Sequence, residues 1–193
     1  MARGMFIVIE GLDGTGKTTL GEKLASQLDA KYLKTPPDEI ADIRNRLEDV
    51  LGSDPVSRQL FYASCVAAIS SRVKEIVASG SDVVVDRYWM TTCVYAPLYG
   101  EPVDLRNLEM RLVVPDVTFF LDVDEQERVR RLTVRGRTSA DLDSVSYHGR
   151  LREDYLLTLD QARAGRVIVI DTSRLSATEC LRKAVDTLFG RDT

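Results

Sequence analysis

The segment F-I-V-I-E-G-L-D-G-T-G-K-T-T, residues 6–19, joins an apolar run to glycines spaced to hold phosphate. Gly11, Gly16, Lys17 and Thr18 occupy the fixed positions of the pattern G-x-x-x-x-G-K-[ST]. Glycines allow successive backbone N–H groups to point into one concavity, and the N-terminus of the following helix adds partial positive charge. The lysine can reach the β- and γ-phosphates of a nucleotide, and the threonine hydroxyl can bind Mg²⁺. The sequence therefore predicts a nucleoside triphosphate site.

Asp13 places a negative charge inside this predicted anion-binding loop. Either its carboxylate binds a group other than the donor phosphates, or it only stabilises the loop through hydrogen bonds to its own backbone. We expect a set of neighbouring residues to form the nucleotide-binding loop: Gly11, Asp13, Gly14, Thr15, Gly16, Lys17, Thr18 and Thr19.

A second candidate group ends the apolar run V-V-V-D at residues 83–86. Asp86 stands where a carboxylate near Mg²⁺ is expected, although an aspartate at a strand end can also cap the next turn. We predict that Thr18 and Asp86 hold the metal. Arg87 follows directly and places a permanent cation at the carboxyl edge of the predicted sheet, where ligands gather in open α/β folds.

Short apolar runs alternate with helical patterns along the chain, which predicts an α/β fold with a parallel sheet buried on both faces. The predicted strands are Met5–Ile9, Lys31–Lys34, Val83–Asp86, Thr118–Asp122 and Arg166–Ile170. The predicted helices are Lys17–Leu28, Ile40–Leu51, Pro55–Ala78, Leu105–Leu112, Glu125–Arg135, Ser144–Arg163 and Ala177–Phe189. At 193 residues the chain is expected to form one domain, 1–193.

Composition narrows the function classes. With 44% hydrophobic and 29% charged residues and no long apolar stretch, the chain reads as a globular cytoplasmic protein without a membrane segment. The net charge of −4 predicts no general attraction to nucleic acid. Three dispersed cysteines form neither a disulfide framework nor a metal pair, and we expect them to be small buried hydrophobes.

Three segments together resemble the thymidylate kinase family: G-L-D-G-T-G-K-T-T at 11–19, D-R-Y-W-M-T-T-C-V-Y at 86–95 and R-L-T-V-R-G-R at 131–137. The resemblance implies a P-loop NTPase fold with a parallel five-stranded sheet flanked by helices and a small arginine-rich lid, approximately residues 131–146. It also implies a homodimeric nucleoside monophosphate kinase of nucleotide biosynthesis. Such an enzyme uses Mg²⁺ and moves the γ-phosphate of ATP to a small nucleotide substrate.

The resemblance also assigns roles to residues. It implies that Asp13 faces away from the donor phosphates and accepts a hydrogen bond from the sugar of the acceptor. For Arg128 and Arg130 we favour a solvated helix face instead of a role in the lid. The residues implied in catalysis are Lys17, Arg87, Arg131, Arg135 and Arg137.

The acceptor side departs from the family pattern. The family phrase L-F-x-A-x-R reads here L-F-Y-A-S-C-V, and we assign the base-reading arginine position to Val66; the position after Tyr95, often glutamine, is Ala96. The phrase K-T-P-P at 34–37 is similar to the mitochondrial UMP/CMP kinase 2 branch. The resemblance implies that the acceptor is bound by Asp13, Arg44, Tyr62, Arg87, Thr91, Thr92 and Tyr95.

The acceptor therefore stays open at this point. dTMP is favoured, and dUMP, UMP and CMP are alternatives within the same reaction. Two further alternatives are a kinase of the same fold for a nucleoside or a modified nucleotide, and a nucleotide-binding regulator without catalysis.

Overall fold

A computed structural model of the chain describes residues 3–40, 46, 50, 54–136, 145–160 and 162–190. Five parallel strands form one sheet in the order β2-β3-β1-β4-β5. The strands are β1 (Phe6–Gly11), β2 (Lys31–Lys34), β3 (Val83–Asp86), β4 (Val117–Asp122) and β5 (Arg166–Asp171). The predicted parallel sheet is confirmed, and all five predicted strands lie within one or two residues of the observed bounds.

Helices cover both faces of this sheet. They are α1 (Lys17–Leu28), α2 (Pro55–Ala78), α3 (Trp89–Tyr99), α4 (Arg106–Glu109), α5 (Glu125–Arg135), α6 (His148–Thr158) and α7 (Ala177–Leu188). Short 3₁₀ turns occupy Asp38–Ile40 and Ala162–Ala164. No helix in these described parts of the chain has the length and apolarity that crossing a membrane requires.

Successive residues of strand β1 pack into two hydrophobic cores, one on each face of the sheet. Phe6 and Val8 of β1 pack with Val66 and Ile69 of α2 on one face. Ile7 and Ile9 point to the other face, with α1 and α7. This two-sided burial explains why the strands read as continuous apolar runs without alternation. Of the three cysteines, Cys65 and Cys180 are buried as expected, whereas Cys93 is half-buried.

The helix prediction was wrong in three places. Helix α3, which begins at the buried Trp89, was not predicted. Its threonines and Pro97 have weak helix propensity, and its stabilising contacts come from a distant strand. Helix α4 is shorter than the predicted Leu105–Leu112, and α6 is shorter than Ser144–Arg163. The predicted helix over 40–51 lies mostly outside the described residues.

Because all strands are parallel, their carboxyl ends meet at one edge of the sheet. The last residues of β1 and β3, Gly11 and Asp86, lie at this edge and lead into the phosphate-binding loop and helix α3 respectively. The sheet thereby brings two segments together that are about 70 residues apart in the sequence.

Candidate active site

The loop between β1 and α1 has the geometry that its sequence predicts. Gly16 has a φ of 97°, in the left-handed region where glycine is favoured, and its carbonyl accepts the first bond of α1 from the N–H of Leu20 at 2.9 Å. Lys17 is buried and donates from Nζ to the carbonyl oxygen of Leu12 at 2.6 Å. The loop therefore holds the lysine inside the concavity that its backbone N–H groups surround.

Lys17 lies in an environment that disfavours its charge. Burial and the neighbouring guanidinium of Arg87 lower the pKa of Lys17 to about 8, although Asp13 and Asp86 oppose the shift. An anionic phosphate beside the ammonium would favour the protonated form again.

Thr18 and Asp86 form a pair of oxygen ligands across the loop. The Thr18 hydroxyl donates to Oδ2 of Asp86 at 2.7 Å, and the Tyr32 hydroxyl donates to the same oxygen at 3.2 Å. The other carboxylate oxygen, Oδ1, is buried and has no hydrogen-bond partner within the described part of the chain. A hydroxyl beside a carboxylate with an unpartnered oxygen fits Mg²⁺, which prefers oxygen ligands and completes its shell with phosphate and water.

The negative charge of Asp13 is neutralised from outside the loop. Its carboxylate forms an ion pair with the guanidinium of Arg87 and accepts a hydrogen bond from the Tyr95 hydroxyl at 3.3 Å. Burial works against the charge of Asp13, but Arg87 and Lys17 outweigh it and lower the pKa of the carboxyl to about 2. Asp13 therefore stays ionised at neutral pH and carries its own counter-charge.

Arg87 itself has an unusual backbone. Its φ is 66°, in the left-handed region that non-glycine residues seldom adopt. Its guanidinium donates to the Gly11 carbonyl and to the Thr91 hydroxyl, each at 3.3 Å, besides the ion pair with Asp13. Burial alone would lower the pKa of Arg87, but the Asp13 carboxylate raises it above its ordinary value.

One cavity of about 710 Å³ connects these groups. Its floor is the phosphate-binding loop with Asp86 and Arg87, and one wall consists of tyrosine rings from α2 and α3. Among the predicted site residues, those that line it are Asp13, Gly14, Gly16, Lys17, Thr18, Thr19, Tyr62, Asp86, Arg87, Thr91, Thr92, Tyr95, Arg131 and Arg135.

The remaining predicted residues lie elsewhere. Gly11 and Thr15 belong to the loop backbone but not to the cavity lining, and the Thr15 hydroxyl donates to the Leu12 carbonyl at 2.9 Å. Arg44 and Arg137 lie outside the described residues. The roles assigned to all these residues stay predictions.

The arginines of helix α5 differ strongly in environment. Arg131 donates to the Thr172 hydroxyl at 3.1 Å, to the Thr172 carbonyl at 2.6 Å and to Glu127 at 2.8 Å, which ties it to the loop after β5. The solvated face predicted for Arg130 is correct, because its side chain is 64% exposed. The same prediction was wrong for Arg128, whose side chain is fully buried.

The burial of Arg128 has a local cause. Its guanidinium donates to the backbone carbonyl of Asp13 at 3.1 Å and to Glu125 at 2.7 and 3.0 Å. Its Cγ lies against Gly14, where an added Cβ would approach it to 3.2 Å. Arg128 therefore supports the phosphate-binding loop from behind, which the run of arginines in the sequence did not reveal.

The assignment of the base-reading position to Val66 was also wrong. Counted along the chain, the phrase L-F-x-A-x-R begins at Leu60 and ends at Cys65, one residue earlier. Both side chains are buried, so neither position presents a charge to the cavity.

A cation on the tyrosine wall of the cavity was not predicted from the sequence. Arg58 lies one helical turn before Tyr62 in α2 and lines the cavity. Its guanidinium carbon is 4.0 Å from the Tyr99 ring centroid, and it donates to the Tyr99 hydroxyl at 3.1 Å. The spacing of Arg58 and Tyr62 by four residues could have indicated this position.

Glu10 was missed as well, although a charge at the end of F-I-V-I-E is a visible signal. Its side chain is fully buried beneath the cavity floor, and burial raises the pKa of its carboxyl, against the hydrogen bonds from Thr91 and Tyr88.

The fold and the site define a class: an α/β P-loop protein whose phosphate-binding loop, hydroxyl–carboxylate pair and arginine border one cavity. A family model described as thymidylate kinase matches residues 9–185. The chain therefore belongs to the thymidylate kinase family, as the sequence motifs indicated.

Individual relatives agree with this assignment. The chain is 33% identical over 176 residues to a probable thymidylate kinase of Pyrobaculum calidifontis, covering 88% of this chain and 89% of the relative. It is 29% identical over 182 residues to one of Methanocaldococcus jannaschii, covering 93% of each. The solved thymidylate kinase structure from Candida albicans has a TM-score of 0.81 at 20% identity, covering 99% of this chain and 93% of that one, which shows the shared fold.

Arg128 and Arg130 provide a matched test of the loop support, because both are arginines of α5 paired to a glutamate. Arg128→Met removes a buried guanidinium and leaves the Asp13 carbonyl without its donor. We expect the free energy of unfolding to fall by about 1.5–3 kcal/mol. Arg130→Met removes an exposed pair, and we expect a change below about 0.5 kcal/mol. Urea unfolding of both variants measures the difference, and equal effects would contradict a supporting role for Arg128.

Proposed function

We propose that the protein is a nucleoside monophosphate kinase that transfers the γ-phosphate of ATP to dTMP. The observation that carries this proposal is the shared cavity, which joins the phosphate-binding loop to Arg87 and to the aromatic wall. In such an arrangement ATP and the acceptor bind in one cavity, and their phosphates lie against the same cationic and metal-binding groups. Family membership and the names of the relatives support dTMP as the acceptor.

Each group has a role in this proposal. Lys17 and the loop N–H groups bind the donor phosphates, and Arg87 binds the acceptor phosphate, for which a guanidinium is well suited. Thr18 and Asp86 hold Mg²⁺, which neutralises charge on the transferring group when it is bound. Arg131, Arg135 and Arg137 provide the lid cations. Asp13 orients the sugar, and Tyr62 with Tyr95 encloses the base.

The state of Asp13 argues against a nucleoside acceptor. A nucleoside hydroxyl needs a general base whose pKa lies near the working pH, whereas an acceptor phosphate is already ionised. The carboxyl of Asp13 has a pKa of about 2 and is paired with Arg87, so it is a poor base. Phosphoryl transfer to a monophosphate therefore requires only positioning of the substrates and neutralisation of charge.

A second candidate within the same reaction is another pyrimidine monophosphate. Cys65, which is buried, and Ala96, which lines the cavity, replace polar groups that read thymine in the family pattern. Arg58 brings a different cation to the tyrosine wall. A guanidinium only donates hydrogen bonds, which favours bases with carbonyl oxygens, such as thymine and uracil.

ADP release with Mg²⁺ and ATP, measured across dTMP, dUMP, UMP, dCMP, CMP, AMP, GMP and thymidine, tests the function. We expect dTMP to have the largest kcat/KM and thymidine to have none. The Lys17→Met variant serves as the control and is expected to release no ADP. ATP binding without turnover of any monophosphate would overturn the proposal.

The pKa of Lys17 predicts how ATP affinity depends on pH. Below pH 8 the ammonium of the free protein is protonated and attracts phosphate; as the pH rises from 7 to 9, it loses its proton. We expect the Kd for ATP to rise up to about tenfold over this interval. Calorimetric titrations at several pH values measure it. Lys17→Met should bind ATP weakly with a flat profile, and the same slope in both proteins would assign the effect to another group.

A homodimer and a cytoplasmic location are part of the proposal. Helix α2 carries exposed apolar side chains, Val56 and Leu60, that a second copy would cover. Light scattering of the purified protein is expected to give twice the chain mass, and a monomer at micromolar concentration would contradict the dimer.

A further inference from the structure

Glu10 is a fully buried carboxylate that the proposed mechanism does not use. It lies near the end of β1, does not line the cavity and accepts hydrogen bonds from the start of α3 and from Tyr155 of α6. An isolated buried carboxylate is costly, so one that accepts several hydrogen bonds indicates an arrangement that holds those donors in place.

The first donors are backbone groups at the start of α3. Oε1 of Glu10 accepts from the N–H of Tyr88 at 2.9 Å and from the N–H of Thr91 at 3.3 Å. The N-cap residue of α3, Tyr88, makes no capping hydrogen bond with its own side chain. The carboxylate of β1 therefore caps the helix across the sheet edge, where a negative charge also complements the helix dipole.

This cap adjoins the strained residue. Arg87 has its φ at 66°, a backbone conformation that is unfavourable for a residue with a Cβ. Its own N–H donates to the Ile9 carbonyl at 3.0 Å, and the next N–H, of Tyr88, donates to Glu10. Strand β1 thus accepts hydrogen bonds from the N–H of Arg87 and from the N–H of the following residue. These two bonds hold Arg87 in its strained conformation.

The second connection runs through a side chain. The Thr91 hydroxyl donates to Oε2 of Glu10 at 2.6 Å, so its lone pairs are left to accept from Arg87 at 3.3 Å. The Tyr155 hydroxyl lies 2.8 Å from the Thr91 hydroxyl and donates to Oε2 of Glu10 at 3.4 Å. The single hydroxyl proton of Thr91 is used in the bond to Glu10. Thr91 thereby presents an acceptor, and not a proton, to the guanidinium of Arg87.

We propose that Glu10 is a positioning residue, which holds the backbone of Arg87 and the acceptor face of Thr91 so that the Arg87 guanidinium points into the cavity toward the acceptor phosphate. This inference rests on the proposed function for the identity of the acceptor. The placement of Arg87 itself does not depend on it.

Glu10→Gln tests the role with the smallest change in shape. The amide oxygen can still accept the two backbone bonds, but the amide nitrogen donates toward the Thr91 hydroxyl and forces this hydroxyl to turn. We expect KM for dTMP to rise about tenfold or more while KM for ATP changes less than twofold. A parallel rise in both constants would overturn the proposal, because a general loss of structure does not distinguish the two substrates.

Thr118→Val is the matched control. Thr118 is a buried polar residue of the neighbouring strand β4, and its hydroxyl donates to the Ala164 carbonyl at 2.6 Å, away from the cavity. This variant also loses a buried hydrogen bond, so we expect it to lower Tm without changing either KM. If Glu10→Gln behaves in the same way, its role is structural and the proposal is wrong.

A double-mutant cycle asks whether Glu10 acts through Arg87. In the Arg87→Ala background, Glu10→Gln should produce no further change in the calorimetric Kd for dTMP, because the group that it positions is gone. Additive effects of the two substitutions would contradict the proposal.

A nucleotide-free measurement separates this inference from the proposed function. The Arg87 Nε–Hε signal in ¹H–¹⁵N spectra, assigned by its loss in Arg87→Lys, should be sharp in the parent protein and in Thr118→Val but broadened in Glu10→Gln. An unchanged signal in Glu10→Gln would overturn the positioning role. Failure of the parent protein to phosphorylate dTMP would overturn the function and leave the spectral result standing.

Discussion

The ion pair between Asp13 and Arg87 joins the two segments from which the site is built. One partner belongs to the loop after β1 and the other to the turn after β3, and the two strands are neighbours in the sheet. Without Arg87, the Asp13 carboxylate would carry an unbalanced negative charge inside a loop suited to anions, and it would repel a phosphate there. With Arg87, the negative charge of Asp13 is balanced by a cation within the same site.

The Asp13–Arg87 pair lies among other charged side chains. Three carboxylates and two cations lie within a short distance of the sheet edge: Glu10, Asp13, Asp86, Lys17 and Arg87. Burial and these neighbours together raise the pKa of Glu10 and lower the pKa values of Asp13 and Lys17. Lys17 therefore holds its proton less tightly than an exposed lysine, and an anionic phosphate beside it would favour the protonated form again.

The sequence predicted those features that depend on neighbours along the chain. The strands, the phosphate-binding loop and helix α1 follow from apolar runs and glycine spacing, and their bounds are correct within one or two residues. Helix α3 was missed because its cap, Glu10, lies 78 residues away from the Tyr88 N–H that it binds. Arg128 was misjudged for a similar reason: its burial depends on the shape of the loop at Gly14, which no pattern within α5 reveals. Tyr62 and Tyr95 of the tyrosine wall were predicted, but the contact of Arg58 with Tyr99 was not, since these two residues meet only in the folded chain.

Helix α3 begins at Trp89, two residues after Arg87, and this is the chain's single tryptophan. Its indole is buried against the core beneath α2, next to the turn that β1 holds in place. The tryptophan fluorescence of the protein therefore comes from one position, two residues after Arg87. Emission at tryptophan wavelengths is a built-in optical probe of this turn and needs no attached dye.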